Sequence, residues 1–316
     1  MFMRSFSLVF IILSLTSCAR LHETPAAPVA RMIMQNGTQT RATPPFTGVK
    51  VDGNIDITLY TGDLHPRVVL HGDPRNMPDV KTTVSNGLLH INLGKGYPHF
   101  DRVKAEIHTH YLSSFAYHGS GIVFGNNIQS GKLDLSINNK GKTLIQGKIG
   151  LNKLVLAGSG SIIINGITGH MCQITLKGKP HVQLAGVIDM TSLNMQGQGW
   201  LSLYWLKSRE LKIRARDDAT IQIAGVTELL DVELWDKAHF NGRYLRGTRV
   251  FAKTHDNSVA DISVIKTQHT LASDSSNIYF YNLPDMKADF MAYNGSVLDM
   301  REWDSPTMEK YTRYNR

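Results

Sequence analysis

Three aspartates stand at nearly equal spacing in the second half of the chain, and their type and spacing suit two kinds of chemistry. Asp217, Asp236 and Asp256 are separated by 19 and 20 residues. Stacked at the spacing of β-strands, about 5 Å apart, their carboxylates would bind a cation or flank a sugar ring. Cleavage of a glycan also needs a base, for which Arg214 and Lys237 are the neighbouring candidates. The aligned repeats carry Gly, Asn or Ser here, so a role in turn geometry is the favoured explanation.

Four aromatic residues form a second candidate site. Trp200, Tyr204, Trp205 and Trp235 fall in adjacent repeats, and exposed rings along one face bind sugars or protein partners. Trp205 takes a position that is glycine in other repeats, and Trp235 directly precedes Asp236, so both are expected to point outward. Packing of the rings against corners of the fold is the alternative. We predict that these four residues form a binding face.

A third group could ligate a metal. Glu106, His108 and His110 alternate with apolar residues, which places all three on one face of a strand. A solvent-exposed face explains the same pattern and is the favoured interpretation. The sequence also lacks a phosphate-binding glycine loop, a nucleophile elbow and a zinc signature, so we predict no metal and no cofactor.

The elements that position these residues follow from an internal repeat of alternately 19 and 20 residues. One column of this repeat is nearly all apolar and contains Phe115, Leu135, Leu154, Ile174, Leu193, Ile213, Val232, Ala252, Leu271 and Phe290. Four residues later, a column of turn-forming residues contains Gly119, Asn139, Gly158, Gly178, Gly197, Asp217, Asp236, Asp256, Ser275 and Asn294. Columns kept in register over this length indicate stacked structural repeats.

Each repeat contains two further short strands. A second apolar column runs through Ile162, Val182, Leu201, Ile221 and Phe240, and a further turn column holds Gly166, Gly186 and Gly225. A third strand lies around Ile167, Val187, Leu206, Val226 and Leu245. We therefore predict an all-β protein, a right-handed parallel β-helix or β-solenoid with rungs of about 19–20 residues. A β-sandwich would not keep these columns, and a propeller or leucine-rich repeat would need a different period.

The N-terminal residues resemble those of bacterial lipoproteins. An apolar run from Leu8 to Leu15 is typical of a signal peptide, and Leu15-Thr16-Ser17-Cys18 resembles the lipobox whose cysteine is lipidated. Ala19 stands where an Asp favours inner-membrane retention, which implies the outer membrane. We predict a signal peptide at 1–17, a lipid anchor and tether at 18–44, the solenoid at 45–300 and a cap or tail at 301–316.

Composition limits the remaining possibilities. The 316 residues carry a net charge of +8, which near an anionic envelope favours contact with lipid headgroups, acidic glycans or nucleic acid without choosing among them. Because the basic residues are scattered along the chain, a solvated surface is the favoured explanation. Cys172 is the one cysteine left after Cys18, so no internal disulfide can form, and we expect a buried thiol.

Several motifs resemble one bacterial family. Phe46-Thr47-Gly48-Val49-Lys50-Val51, the stretch around Asn86-Gly87, His118-Gly119-Ser120-Gly121 and Ala157-Gly158-Ser159-Gly160 are similar to the head GIN domain family of autotransporter adhesins. Asn86-Gly87 is also a hairpin-turn dipeptide. The resemblance implies an extended surface module with an adhesive or scaffolding role, and it transfers no catalytic residue.

These observations predict a non-catalytic lipoprotein of the outer membrane that presents a β-solenoid for adhesion or scaffolding. Its expected partners are the membrane, through lipid on Cys18, and an envelope glycan or protein, with no nucleic acid and no small-molecule substrate. Two alternatives stay open. One is a β-helix lyase or hydrolase that uses Asp217 and Asp236, and the other is a self-assembling rod similar to bactofilins.

Overall fold

Buried and exposed side chains alternate along almost every strand, as expected where one side of a strand faces a core. The computed structural model describes residues 37–281 and 287–300, which belong to one compact unit. Its strands form a β-solenoid of about nine turns, so the predicted fold class is confirmed. Cys18 and the segment 301–316 lie outside the described residues.

The strands and one short 3-10 helix (Pro74–Asp79) follow each other in chain order. The first eight strands are short: β1 (Gly37–Ala42), β2 (Gly48–Asp52), β3 (Ile55–Thr61), β4 (Arg67–Gly72), β5 (Val80–Ser85), β6 (Leu88–Leu93), β7 (Val103–Thr109) and β8 (Ser114–Gly119). Eight long strands follow: β9 (Val123–Asn139), β10 (Lys142–Gly158), β11 (Ser161–Gly178), β12 (His181–Gly197), β13 (Trp200–Asp217), β14 (Thr220–Leu234), β15 (His239–Thr254) and β16 (Val259–Ser273). The last three are β17 (Asn277–Phe280), β18 (Lys287–Tyr293) and β19 (Ser296–Asp299).

Each long strand pairs in parallel with the next and bends around three sides of a rung. In β12, residues 181–185 form what we call the second side, 187–190 the third side and 192–196 the first side. The first turn, at Gly197, joins the first side to the second side of the following rung, and the second corner, at Gly186, joins the second and third sides. Inward residues of all three sides make one continuous core.

The predicted columns are confirmed by the strand register over most of their length. Leu154 pairs with Ile174, Ile174 with Leu193 and Leu193 with Ile213. The next apolar column, Ile162 through Phe240, is equally in register and buried.

The repeat shortens near its C-terminal end, where two predicted positions are wrong by one residue. Ala252 pairs with Thr270, which is buried, and Leu271 is the half-exposed neighbour. The following turn accordingly has its left-handed residue at Asp274 rather than Ser275. The rung from Ala252 to Thr270 is thus one residue shorter than the spacing used for the alignment.

The N-terminal rungs do not stack in chain order. β2 pairs in parallel with β6 on one side and β8 on the other, and β3 lies between β7 and β9. The Asn86-Gly87 hairpin is confirmed by positive φ at both residues, and it makes β5 antiparallel to β6. β4 lies antiparallel to β7, and β1 lies antiparallel to β4. Because β1 is Gly37–Ala42, the folded unit begins within the segment that was predicted to be a tether.

The Gly119-Ser120-Gly121 motif has a structural explanation in Tyr117. The buried Tyr117 hydroxyl donates to the carbonyl oxygen of Ile55 at 3.1 Å and accepts from the N–H of Gly121 at 2.8 Å. A Cβ at Gly121 would lie 2.8 Å from that hydroxyl oxygen, and one at Gly119 would collide with the carbonyl oxygen of Gly53. The two glycines therefore let the turn close around the tyrosine.

Burial shifts the pKa of two titratable side chains in the core. It raises the pKa of Tyr117 to about 12 and that of the Cys172 thiol to about 12. Cys172 is fully buried, as predicted, and its thiol is protonated at neutral pH.

Tyr117→Phe should lower the free energy of unfolding by about 1–3 kcal/mol, because Ile55 and Gly121 lose their buried hydrogen-bond partner. Urea unfolding measures this. The exposed Tyr60→Phe is the matched control, with an expected change below about 0.5 kcal/mol. Since the unfolded tyrosine ionises near its ordinary pKa of 10.0 and the folded one near 12, the native chain also loses stability as pH rises through that window. A Tyr117→Phe protein with native stability and an unchanged alkaline slope would contradict this role.

Candidate functional site

The aspartate column is built by the first turn. Asp217, Asp236 and Asp256 have φ of 65°, 60° and 59°, the left-handed backbone that Asp tolerates. The Asp217 N–H donates to Asp236 Oδ2 at 3.1 Å, and the Asp236 N–H donates to Asp256 Oδ2 at 3.1 Å. The carboxylates of Asp236 and Asp256 thus each satisfy a backbone N–H of the preceding rung. This is the structural role that turn geometry predicted.

Of the two bases proposed for glycan cleavage, one lies away from this column and the other lies beside it. Arg214 is on the first side, where its guanidinium contacts Asp231 Oδ2 at 2.9 Å and Glu233 Oε2 at 3.0 Å. Lys237 follows Asp236 on the exposed turn. Among residues 37–281 and 287–300, no group of three or more His, Cys, Asp or Glu is arranged to hold a metal ion.

The three candidate metal ligands on and just after β7 do not converge on one point. Glu106 accepts from Lys104 Nζ at 2.9 Å, which lowers the pKa of its carboxyl. His108 stacks on Tyr60, and burial lowers the pKa of its imidazole. His110 is exposed. This arrangement fits the solvent-face interpretation.

Two of the four predicted aromatic residues take part in rung-to-rung stacks. Trp200, on the second side, stacks on His181 with ring centroids 4.2 Å apart. Trp235, on the first side, lies between His255 and the guanidinium of Arg216, at 5.7 Å and 4.4 Å. These stacks cover both tryptophans in part, and the first turn separates the two sides on which they lie.

Trp205 is held at the second corner in a backbone conformation that is rare for a bulky residue. Its φ is 74°, close to the 78° of Gly166 at the same corner two rungs earlier. Like Gly166, it is an extra residue without a register partner in either neighbouring strand, which makes it a β-bulge. The side chain is 67% exposed, as the sequence predicted. Such strain costs on the order of 1–3 kcal/mol and concentrates at functional positions.

Apolar residues surround Trp205 on the outside of the solenoid. Val187 is 60% exposed and precedes Ile188, which pairs with Leu206. Val226 is 46% exposed and pairs with Lys207, while Tyr204 directly precedes the bulge and is 47% exposed. Of the predicted third strand, Ile167, Leu206 and Leu245 point inward. Val187 and Val226 point outward, since the residue that follows each of them, Ile188 or Thr227, is buried and faces the core.

A groove begins at this corner and crosses the third side. It has a volume of about 600 Å³ and is lined by residues of six consecutive strands, β11 to β16. Val187 and Val226 form part of its wall, and Ser208 lies at its base, where its hydroxyl bonds both backbone groups of Met190. Trp205, Val187, Val226 and the lining of this groove are called the corner site below.

Charged side chains of both signs line the corner site. Lys207, Arg209 and Arg246 supply the full positive charges, and Asp189 and Glu228 supply the negative ones. The Asp189 carboxylate accepts a hydrogen bond from Ser208 at 3.2 Å. The groove therefore combines apolar walls, hydroxyl groups and exposed cations, a combination suited to carbohydrate or another polar, extended ligand.

Sequence reasoning found Trp205 but missed the groove beside it. The signal was present in Gly186-Val187-Ile188 and in Gly225-Val226, where an apolar residue stands between a corner glycine and the next inward position. Strict alternation from the glycine would have placed both valines outside.

In the part of the chain that the structure describes, no helix has the length and apolar character needed to cross a membrane.

Glycine and alanine at position 205 should reverse their usual order of stability. Trp205→Gly relieves the left-handed strain, whereas Trp205→Ala keeps it, so the glycine variant should be more stable by about 1 kcal/mol in urea unfolding. Tyr204→Gly and Tyr204→Ala are the matched pair at a position without positive φ. There the alanine variant should have the higher free energy of unfolding by about 0.5–1 kcal/mol. The same order at both positions would refute the strain.

The comparisons with known proteins cover different parts of the chain. Residues 45–188 match the sequence model of the family described as putative auto-transporter adhesin, head GIN domain. The comparison with curated proteins finds no match. A solved structure of a putative adhesin from Parabacteroides merdae is 17% identical over 84% of this chain and 96% of that one, with a TM-score of 0.45. A putative lipid binding protein from Parabacteroides distasonis is 14% identical over 84% and 96%, with a TM-score of 0.48.

The family match covers every motif on which the resemblance was based, from Phe46 to Gly160. It begins just before β2 and ends in β12, so Trp205 and the cations of the corner site lie beyond it. Residues 45–188 of this chain therefore match the head GIN domain family of putative auto-transporter adhesins, the family that the sequence motifs resemble.

Proposed function

We propose that this protein is an envelope-anchored adhesin that binds its ligand at the corner site and carries out no catalysis. The single observation that carries the proposal is Trp205, a largely exposed tryptophan in a strained bulge beside a groove. An exposed Trp at a position that is glycine elsewhere is costly for folding, and ligand contact is a physical reason to keep it.

The family supports an adhesion-type role at the cell envelope or surface. A stacked solenoid also suits the task, because a preformed surface pays little conformational entropy on binding. The rungs hold Val187, Trp205 and Val226 in neighbouring strands that share backbone hydrogen bonds. The site therefore does not have to fold when the ligand arrives.

A binding role fits the polar groups better than the glycosidase alternative. The carboxylates of Asp236 and Asp256 accept from the backbone of the preceding rung, and Arg214 is engaged by two carboxylates on the first side. A rod that polymerises end to end would stack rungs across its termini. The antiparallel strands β1, β4 and β5 work against that at the N-terminal end, since they do not continue the parallel register.

The anchor is the lipid proposed on Cys18, with delivery to the outer membrane. A short tether from that residue to β1, at Gly37, would keep the solenoid close to the membrane surface. The proposed cap at 301–316 would cover the last rung, where β18 exposes Met291 and Tyr293.

Replacing Trp205 should remove ligand binding without loss of fold. We expect the Trp205→Gly protein to bind an array of glycans, mucin and envelope fractions at least about thirtyfold more weakly than the native chain, as for a tryptophan at the centre of a binding site. The exposed Phe251→Ser is the matched control, because its ring stacks on His269 away from the groove. Equal binding by all three proteins would place the ligand elsewhere, and an array without any bound component would favour a scaffold.

Cys18→Ser should release the protein from the membrane. In cell fractionation the native chain should sediment with membranes and carry fatty-acyl mass on its N-terminal residue, because stable anchoring needs more than one acyl chain. Cys172→Ala is the control, since that thiol is buried and should not affect fractionation. Membrane retention of the serine variant, without acyl mass on the native chain, would eliminate the lipid anchor.

A further inference from the structure

The exposed cations of the corner site follow the rung spacing. Lys207 pairs in register with Val226, and Val226 pairs with Arg246, so the two cations occupy one column two rungs apart. Two rungs correspond to about 10 Å. Arg209 lies two residues further along the strand that carries Lys207 and points to the same side of the sheet.

These cations are not engaged by the protein itself. Within residues 37–281 and 287–300, no carboxylate lies within 4.0 Å of the charged nitrogens of Lys207, Arg209 or Arg246, whereas Arg214 has two such partners. All three side chains are exposed. Asp189, in the preceding rung, accepts instead from the Ser208 hydroxyl at 3.2 Å. The positive charges are thus available to a ligand.

Apolar groups separate the cations along the groove. Val226 lies between Lys207 and Arg246 in the same column, and Val187 lies one rung before Lys207, next to Trp205. A pyranose ring has the same alternation, with apolar C–H faces and polar groups at its rim. A 1,4-linked chain of such rings also advances by about one strand spacing per unit. Charged groups on alternate units would therefore meet Lys207 and Arg246.

We propose that the ligand of the corner site is an acidic polysaccharide, a linear glycan with carboxylate groups, which lies across the rungs along the groove. Its sugar faces pack on Trp205, Val187 and Val226, and its carboxylates pair with Lys207, Arg209 and Arg246. This inference rests on the proposed function and adds the chemical class of the ligand.

The experiment compares two hexasaccharides that differ only in the group at C6 of each unit. A β-1,4-linked mannuronate hexasaccharide and β-1,4-mannohexaose share one backbone, and each unit of the first carries a carboxylate where the second carries a hydroxymethyl group. Calorimetric titration of the full chain in detergent should give at least about tenfold tighter binding of the mannuronate compound at low salt. Raising the ionic strength should reduce this preference.

The variants separate charge from aromatic contact. Lys207→Gln combined with Arg246→Gln should weaken mannuronate binding about tenfold or more and leave mannohexaose binding unchanged. Lys177→Gln combined with Lys179→Gln removes the same charge from the first turn, outside the groove, and should have little effect. Trp205→Gly should weaken the binding of both compounds.

The outcomes distinguish the inference from the function on which it rests. Equal affinity for the two compounds, or no effect of the Lys207 and Arg246 substitutions, would overturn the acidic-glycan inference, while a loss caused by Trp205→Gly would keep the corner site as an adhesin site. Failure of both compounds to bind at millimolar concentration would also overturn the inference, and the proposed function would then depend on the array of envelope components alone.

Discussion

The backbone hydrogen bonds between rungs fix the distance from one turn of the chain to the next, and the remaining features depend on that distance. It leaves no room for a side chain where two corners stack closely: a Cβ at Gly225 would collide with the carbonyl oxygen of Leu206. A corner must therefore use glycine, tolerate a left-handed residue, or bulge outward. The aspartates of the first turn adopt the left-handed backbone, and Trp205 both adopts it and forms an outward bulge.

That constraint explains why so much of the fold can be predicted from the sequence. The inward columns must be apolar, the turns must accept positive φ, and both must recur with every rung, so they are visible as a repeat from Phe115 onward. The prediction failed where the repeat changes length. Between Ala252 and Thr270 the rung is shorter. The apolar pattern indicates Leu271 as the inward residue, because the residue that is actually inward, Thr270, is polar. The order of the N-terminal rungs was equally hidden, because β2 pairs with residues about forty and sixty-six positions away.

The candidate site was only partly predictable for a related reason. Residue type and column position identify Trp205 as an outward residue, and the structure agrees. The grouping with Trp200 and Trp235 failed to anticipate that those rings stack on histidines of adjacent rungs, on sides separated by a turn. A groove is a property of how successive rungs are offset, and Lys207, Val226 and Arg246 become one column only once the bulge at Trp205 has set the register.

The placement of β2 and β3 between later strands has a consequence for how the chain acquires its structure. The earliest of the parallel strands to be made has neither of its neighbours until β6 and β8 have been made as well. Its edges cannot be satisfied locally, and closing those contacts carries the entropic cost of long loops. The regular C-terminal rungs, whose partners are adjacent in sequence, can assemble without it. The region that the family model matches thus contains the strands that wait longest for their partners, and the chain can hold a formed C-terminal stack while its N-terminal rungs are still incomplete.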